Sequence, residues 1–500
     1  METLNFLGQG FGVALMPTNL MMAAIGALIG TIVGMLPGLG PINGVALLMP
    51  LAFALKLPAE TALILLTAVY IGCEFGGRIS SILLNVPGDA GAIMTAIDGH
   101  PMARSGRAGV ALSISAWASF VGSTVATAGI VLFAPLLARW ALAFGPAEYF
   151  ALMCFAFACI TGLMGSEPLK AVLAAAMGLA LSTVGLDSNS GVYRFTGDNV
   201  HLSDGIQFIV VVIGLFSVSE ILVMLEHQTS SSGLIRTVGR TMFNMKEFMM
   251  TGWTILRSSV LGFVVGVLPG AGATIASAMA YSVEKRLNDK EGTFGKGDVR
   301  GVSAPEAANN ASANGSFIPM LTLGVPGSGT TAVMMGALAL YNITPGPALF
   351  TQQPALVWGL IASMFVSNVL LLFINIPLVG IFARLLLVPN WLLVPGILAI
   401  SAVGVYSVHA TTFDLLLMGV LGIVGFVLRK AGIPMAPLIL GFVLGDLMEQ
   451  NLRRALSITN GELSILWGSP ITIGLWAAAA AMLLLPPLYR RWSQRRVSAA

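Results

Sequence analysis

Apolar residues fill this chain in long runs, and the places where the runs stop carry most of the information. Segments at about 108–138, 147–164, 168–186, 206–226, 355–388, 391–407, 411–429, 434–448 and 466–488 are long and apolar. Most reach the roughly 17–25 residues that a helix needs to cross a bilayer core. Ahead of them, Leu4, Phe6, Leu7, Phe11, Leu15 and Met16 recur at near-helical spacing, which predicts a short interfacial helix over residues 1–19.

Four interruptions share one chemistry. From Leu20 an apolar run reaches Pro37-Gly38, and Ile42 to Leu55 returns; each arm is short for a full span, so the pair predicts a re-entrant hairpin. Segments 248–268 and 273–284 repeat that pattern around Pro269-Gly270-Ala271-Gly272. Between these, Thr61–Cys73 and Ile79–Val86, linked by a glycine-rich join (Gly72, Gly76, Gly77), lead to a break at Asn85-Val86-Pro87-Gly88-Asp89. Ser303 to Leu323 leads to the matching break at Pro326-Gly327-Ser328-Gly329, and Thr330–Leu340 continues. A helix broken at membrane depth frees backbone groups that need protein, water or ligand as partners. Paired breaks in corresponding halves point to a transporter's binding site.

The halves are a duplication. Gly30, Val33, Gly34, Leu36, Pro37, Gly38 and Gly40 recur 232 positions later, and Leu84, Val86, Pro87 and Gly88 recur 239 positions later. The expected organisation is an interfacial helix (1–19), a first repeat (20–226), a cytoplasmic connector (227–247), a second repeat (248–450), and a final span with a basic tail (451–500). Lysine and arginine are nearly absent around the first hairpin, where only Lys56 occurs, and abundant around the second. The positive-inside rule then has the hairpins entering from opposite sides. It puts Arg104, Arg107, Lys170, Arg236, Arg240, Arg384, Arg429 and the C-terminal arginines inside, with Arg139, Arg194, Arg453 and Arg454 outside. The fold class expected is an all-α polytopic membrane protein, an inverted-topology repeat with re-entrant helical hairpins and discontinuous helices.

Composition narrows the class further. The chain is 56% hydrophobic and only 9% charged, with a net charge of +3. No basic stripe with interleaved aromatics suggests nucleic acid. Cys73, Cys154 and Cys159 lie in apolar runs and read as buried thiols, and the four histidines show no metal-ligand spacing. The N-terminus lacks a basic n-region, so no cleaved signal peptide is expected.

A hairpin tip in the membrane presents carbonyl ends of one arm beside free N–H groups of the next, partial charges of both signs. That suits a carboxylate and a cation held side by side, with sodium or a proton as coupling ion and no other cofactor or metal. Pro37, Gly38, Gly40, Asn43, Asn85, Pro87, Gly88, Gly270, Gly272, Thr274, Pro326, Gly327, Ser328 and Thr330 are the substrate-binding candidates. Asp89, Asn309, Asn310, Asn314 and Gly329 are the coupling-ion candidates. The plainer readings stay open: Gly30 and Gly34 as a helix-contact motif, Asp89 and Ser328 as N-caps, the asparagines as helix-to-helix hydrogen bonds. Ser303 and Glu306 have capping-box spacing. The polar stretch Asp187–Asp204 reads as a solvated loop or a docking surface for a soluble partner. Two other functions compete: a passive channel for small anions, and an intramembrane aspartyl protease built on Asp414 and Asp446.

GTIVGMLPGLGP, SSILLNVPGDAGAIMTAIDGHPMA, SAPEAANNA and FIPMLTLGVPGSGTTAVMMG, spread over about residues 4–490, resemble the large membrane subunit of the tripartite tricarboxylate transporters. The resemblance implies a multi-pass carrier of the bacterial inner membrane, not an enzyme. It implies two partners, a small four-helix membrane subunit and a periplasmic solute-binding protein. It also implies transport of citrate or another di- or tricarboxylate driven by sodium or protons; on the carrier reading the tip-bearing core is expected to move against a scaffold of long helices in an elevator-like or rocking manner. Substrate and ion are expected at the Pro-Gly tips and the Asn-rich segment. Many relatives carry Thr or Ser beside the first NVPG, where this chain has Asp89.

Overall fold

The computed structural model describes residues 2–163, 167–187, 189–226, 242–270, 272–386, 388 and 390–497. Arg236 and Arg240, with most of the expected connector, lie outside the described residues, as do the side chains of the C-terminal arginines. Among the described residues the fold is all-α but for one two-stranded ribbon, and eight helices are long and apolar enough to cross a membrane.

Helix α1 (Glu2–Ala14) precedes the first hairpin, α2 (Pro17–Met35) and α3 (Gly40–Ala54). Then come α4 (Ala59–Leu84), a break, α5 (Ile93–Met102), and the long helices α6 (Ala108–Ala141), α7 (Pro146–Leu163) and α8 (Pro168–Ser182). The polar stretch that follows carries the antiparallel ribbon β1 (Gly185–Leu186) and β2 (Tyr193–Arg194), with Gly185 opposite Arg194. Helices α9 (Phe208–Val212) and α10 (Ser219–Glu226) are joined through a π-helical turn, Ile213–Val218. The second half runs α11 (Met245–Val267), α12 (Gly272–Asn288), α13 (Val299–Gly315), α14 (Phe317–Leu323), a break, and α15 (Gly329–Leu340). It continues with α16 (Leu349–Gln352), α17 (Pro354–Asn375), α18 (Val379–Leu385), α19 (Asn390–His409), α20 (Thr412–Lys430), α21 (Met435–Ile458) and α22 (Pro470–Val497).

Helices α4 and α13 form the centre. Helix α4 is buried continuously from Thr61 to Leu83, and every residue of α13 but Arg300 is buried although Ser303, Glu306, Asn309, Asn310, Ser312 and Asn314 are polar. A helix that polar is stable at membrane depth only when protein surrounds it and supplies partners.

The two halves repeat in geometry at the offsets seen in the sequence. Added Cβ atoms at Gly30 and Gly34 of α2 would overlap the carbonyl oxygens of Val69 and Cys73 on α4. At Gly262 and Gly266 of α11 they would overlap those of Ala308 and Ser312 on α13. These glycines therefore let two backbones touch, the small-residue packing that membrane helices use. The tips also match. Gly38 and Gly40 have φ of 86° and 61°, and Gly270 and Gly272 have 76° and 66°. Asn85 and Gly324 are both left-handed C-caps, while Asp89 and Ser328 are both extended N-caps.

Four local expectations change. Gly72, Gly76 and Gly77 do not interrupt a helix: α4 is continuous, and these glycines face Ala27, Thr31 and Asp89 at close approach. Ser303 and Glu306 are not a capping box, because α13 begins earlier, at a cap formed by Asp298 on the Arg300 N–H (2.8 Å). The 355–388 run divides into α17 and α18 just before and after Pro377, which lacks the N–H to continue the ladder. Helix α1 does more than lie in an interface, since Phe6 stacks on Trp358 and Phe11 packs on Phe365 of α17.

Ion pairs gather at the ends of the helices. Arg107 pairs with Glu247 at 2.9 Å, in a recess that also holds Lys246, Lys296 and Asp298. At another end, Arg453 meets Asp187 (3.2 Å) and Arg194 meets Glu449 (2.8 Å). The Ser190 hydroxyl, the Asn189 N–H and these arginines hold the Asp187 carboxyl down at about 2. Asp98 of α5 is fully buried and accepts from the Tyr281 hydroxyl (2.9 Å) and from the N–H groups of Gly295, Gly297 and Asp298 (2.8–2.9 Å). It staples the loop before α13 to the first half. Asp98→Ala orphans those donors, and we expect a loss of about 3 kcal/mol or more. A drop in melting temperature of purified protein in detergent checks this; an unchanged melt contradicts it.

Candidate functional site at the four breaks

A cavity of about 640 Å³ lies where the breaks converge. Gly38, Gly40 and Asn43 of the first hairpin line it, with Gly270, Gly272 and Thr274 of the second. Asp89 and Ala90 come from the first break, and Ser328, Gly329 and Thr330 from the second. The remaining walls include Tyr70 and Glu74 of α4, Ile160, Phe216 and Arg429. Its size falls within the range of sites for small organic ligands, about 300–1,000 Å³.

Four helices start at this cavity. Gly40 opens α3, Gly272 opens α12, Gly329 opens α15, and Ala90 opens the single 3₁₀ turn that leads into α5. Each of the three α-helix starts places first-turn N–H groups and a partial positive charge of up to roughly half a unit beside the space they share. At the second break, Ser328 and Thr331 satisfy each other's backbone in a capping box. At the first, Asp89 Oδ2 accepts from the Gly91 N–H at 2.9 Å. The capping reading of Asp89 and Ser328 thus holds, and both residues line the cavity as well.

The halves reach across to each other at equivalent positions. Tyr70 corresponds to Asn309 by the 239-residue offset. The Tyr70 hydroxyl lies 3.2 Å from Ser328 Oγ, the cap of the second half. Asn309 Nδ2 donates to Glu74 Oε2 at 2.8 Å, and its Oδ1 lies against Gly91 in the turn capped by Asp89.

Charge at the site is unbalanced. Arg78 and Glu306 are both buried and are bridged by Ser119, which accepts from Arg78 (3.3 Å) and donates to Glu306 (3.0 Å). Glu74 is 2% exposed and close enough to Asp89 for the two charges to interact, yet neither ion-pairs with a described Lys, Arg or His. Asp89 Oδ1 and Asn309 Oδ1 are buried without hydrogen-bond partners. Uncompensated carboxylates and orphaned oxygens at this depth are costly.

Other candidates stand back from the cavity. Asn85 is an exposed C-cap. Gly88 N–H donates to Gly77 O (3.3 Å), tying the first break to α4, and Gly327 O accepts from Gly270 N–H (2.9 Å), tying the second break to its hairpin tip. Pro37, Pro87 and Pro326 shape the turns without lining the space. Asn310 donates to Glu306 O within α13, while Asn314 takes the helix-to-helix role, donating to Ser123 O (3.1 Å) and Thr127 Oγ1 (3.0 Å) on α6. Asn43 bonds Leu39 O and Ser217. Asp414 meets His409 at 3.4 Å, while Asp446 is exposed and accepts from Gln450; neither lines the cavity.

Tyr70, Glu74, Ile160, Phe216 and Arg429 were missed by sequence reasoning. Glu74 had a signal, since an acid four residues from Arg78 in an apolar span is by default functional. Tyr70, Ile160 and Phe216 carry none, because apolar wall residues look like any others.

Fold and cavity together define a multi-pass helical membrane protein with a chamber built on paired helix breaks, the form of a membrane transporter. Residues 20–440 match the model of the tripartite tricarboxylate transporter TctA family, and the chain belongs to that family. It is 41% identical over 485 residues to a 52.8 kDa protein from the TAR-I ttuC' 3' region of Agrobacterium vitis, covering 97% of this chain and 96% of that one. A protein from the TAR-II ttuC' 3' region of the same organism is 44% identical over 236 residues, 47% of this chain and 98% of the relative. No solved structure matches.

Proposed function

We propose that this protein is the large membrane subunit of a secondary carrier that takes up a di- or tricarboxylate across the bacterial inner membrane, driven by a sodium or proton gradient. The observation that carries the reading is the convergence of four helix starts on one cavity that also contains two unpaired carboxylates. The N–H ends attract the substrate's carboxylates, and Gly40 and Gly272 let the backbone approach closely. Glu74, Asp89 and the Asn309 amide oxygen offer three oxygens to the coupling cation or, for a proton, two carboxylates to carry it. Anion and cation then neutralise each other at the site, so each strengthens binding of the other.

The same reading has the hairpins entering from opposite sides. In support, Arg107, expected inside, shares one recess with Lys246 of the expected cytoplasmic connector, and residues expected outside (Arg194, Arg453) share one ion-pair cluster. A small membrane subunit and a periplasmic binding protein complete the system, the latter delivering substrate to the ribbon side. Uptake into proteoliposomes containing all three subunits tests the proposal. Accumulation of labelled acid above equilibrium only with an inward ion gradient is expected. Equal uptake with and without gradients contradicts coupling, and currents faster than any carrier turns over would favour the channel reading.

A further inference from the structure

We propose that Arg429 is the substrate-carboxylate receptor of this cavity, and that Glu220 holds it in reserve as an exchangeable counter-ion packed against the first hairpin tip. The inference rests on the carboxylate-uptake reading and adds the residue that recognises the anion.

Three observations converge. Among the described residues lining the cavity, Arg429 is the one cationic side chain, set against the carboxylates of Glu74 and Asp89. It stands at the end of α20, where the cavity adjoins a smaller recess of about 350 Å³ bounded by Phe216, Gly432 and Met435. Its Nη1 donates to Glu220 Oε2, while its Nε is buried with no partner. A guanidinium presents a fork of donors suited to two carboxylate oxygens at once, and here Nε is left unsatisfied.

Glu220 faces two ways. It is 5% exposed on α10; one oxygen takes the Arg429 bond and the other lies against the Cα of Gly38, where an added Cβ would collide with Oε1. The equivalent glycine of the second hairpin, Gly270, meets the aliphatic side chain of Ile160 instead. A carboxylate thus packs against one tip, where an aliphatic side chain packs against its counterpart. A substrate carboxylate that takes the Arg429 Nη1 position displaces Glu220 and releases its packing against the first tip, coupling anion binding to hairpin movement. No covalent bond changes, and charge balance is kept because one carboxylate replaces another on the same guanidinium.

The plain alternative is a structural ion pair that closes a helix end. Removing one partner of a buried pair strands the other charge, so the double variant Glu220→Gln/Arg429→Gln, which leaves neither, guards against misfolding. The experiment uses the full-length protein in nanodiscs, titrated calorimetrically with succinate, tartrate, citrate and tricarballylate; the tightest wild-type ligand becomes the probe. Arg429→Gln and the double variant should bind it at least about tenfold more weakly, the usual cost of losing a charged hydrogen bond. Glu220→Gln, freed of the competing carboxylate, should bind it several-fold more tightly. Amide exchange of residues 36–40 gives a second readout, since it should rise on binding in wild type and already be fast in Glu220→Gln. A double variant that binds within twofold of wild type, or a tip that only slows its exchange on binding, overturns the proposal while leaving the uptake reading intact. Wild-type protein that binds none of the four acids overturns both.

Discussion

Gly270→Leu should abolish transport while leaving the protein inserted and folded. Gly270 sits at φ 76°, a conformation that side chains adopt at a cost of about 1–3 kcal/mol. Any Cβ there runs into Ile160 of α7, and the Gly270 N–H holds Gly327 O at the other break. A leucine must therefore push the second tip away from both neighbours, displacing the start of α12 from the cavity. A misplacement of about 1 Å in a site that depends on orientation can cost roughly a hundredfold, and we expect uptake to fall at least that far. Gly38→Leu should do the same at the first tip, where Glu220 occupies the space. Size-exclusion profiles establish folding, and proteoliposome uptake gives the rate. Normal uptake by both variants would remove the tips from the mechanism.

The second large effect concerns the unpaired carboxylates. Binding of the acid and of the cation are linked, so the factor by which sodium or protons tighten the acid equals the factor by which the acid tightens them. In wild type that factor should lie at about 5–150-fold, the usual span of coupling free energies. Asp89→Asn is the informative variant because asparagine caps a helix as well as aspartate does. It keeps the bond to the Gly91 N–H and removes only the charge. With Glu74→Gln beside it, the tightening should shrink to about one, measured as acid affinity with and without sodium, and across pH for the proton case. A factor unchanged in both variants would return Asp89 to a purely capping role.

Much of this architecture was legible in the sequence because membrane burial writes strong signals. The hairpin breaks were visible since Pro-Gly has few uses inside an apolar run. The duplication was visible because Gly30, Gly34, Gly262 and Gly266 must stay small wherever two backbones touch. The same physics misled at Gly72, Gly76 and Gly77: glycine in an apolar run marks a bend or a close contact, and only the neighbouring helix decides which. Asn309, Asn310 and Asn314 looked equivalent in sequence, yet helical rotation turns one toward Glu74 and another toward α6. Arg429 was read only as a topology marker, because its approach to Gly38's neighbour Glu220 spans 209 residues of chain.

The account stands on a small acid being held among the four helix starts, and locating that acid is the most direct test. Cryo-electron microscopy of the protein in nanodiscs, saturated with its best-binding acid and its coupling ion, should reveal density between Gly40, Gly272 and Gly329, within reach of Arg429. A second cavity, about 840 Å³ and bounded by Asp204, Gly324, Asn342 and Asp446, provides the contrast. Density confined to that cavity, with nothing at the breaks, would contradict the central claim.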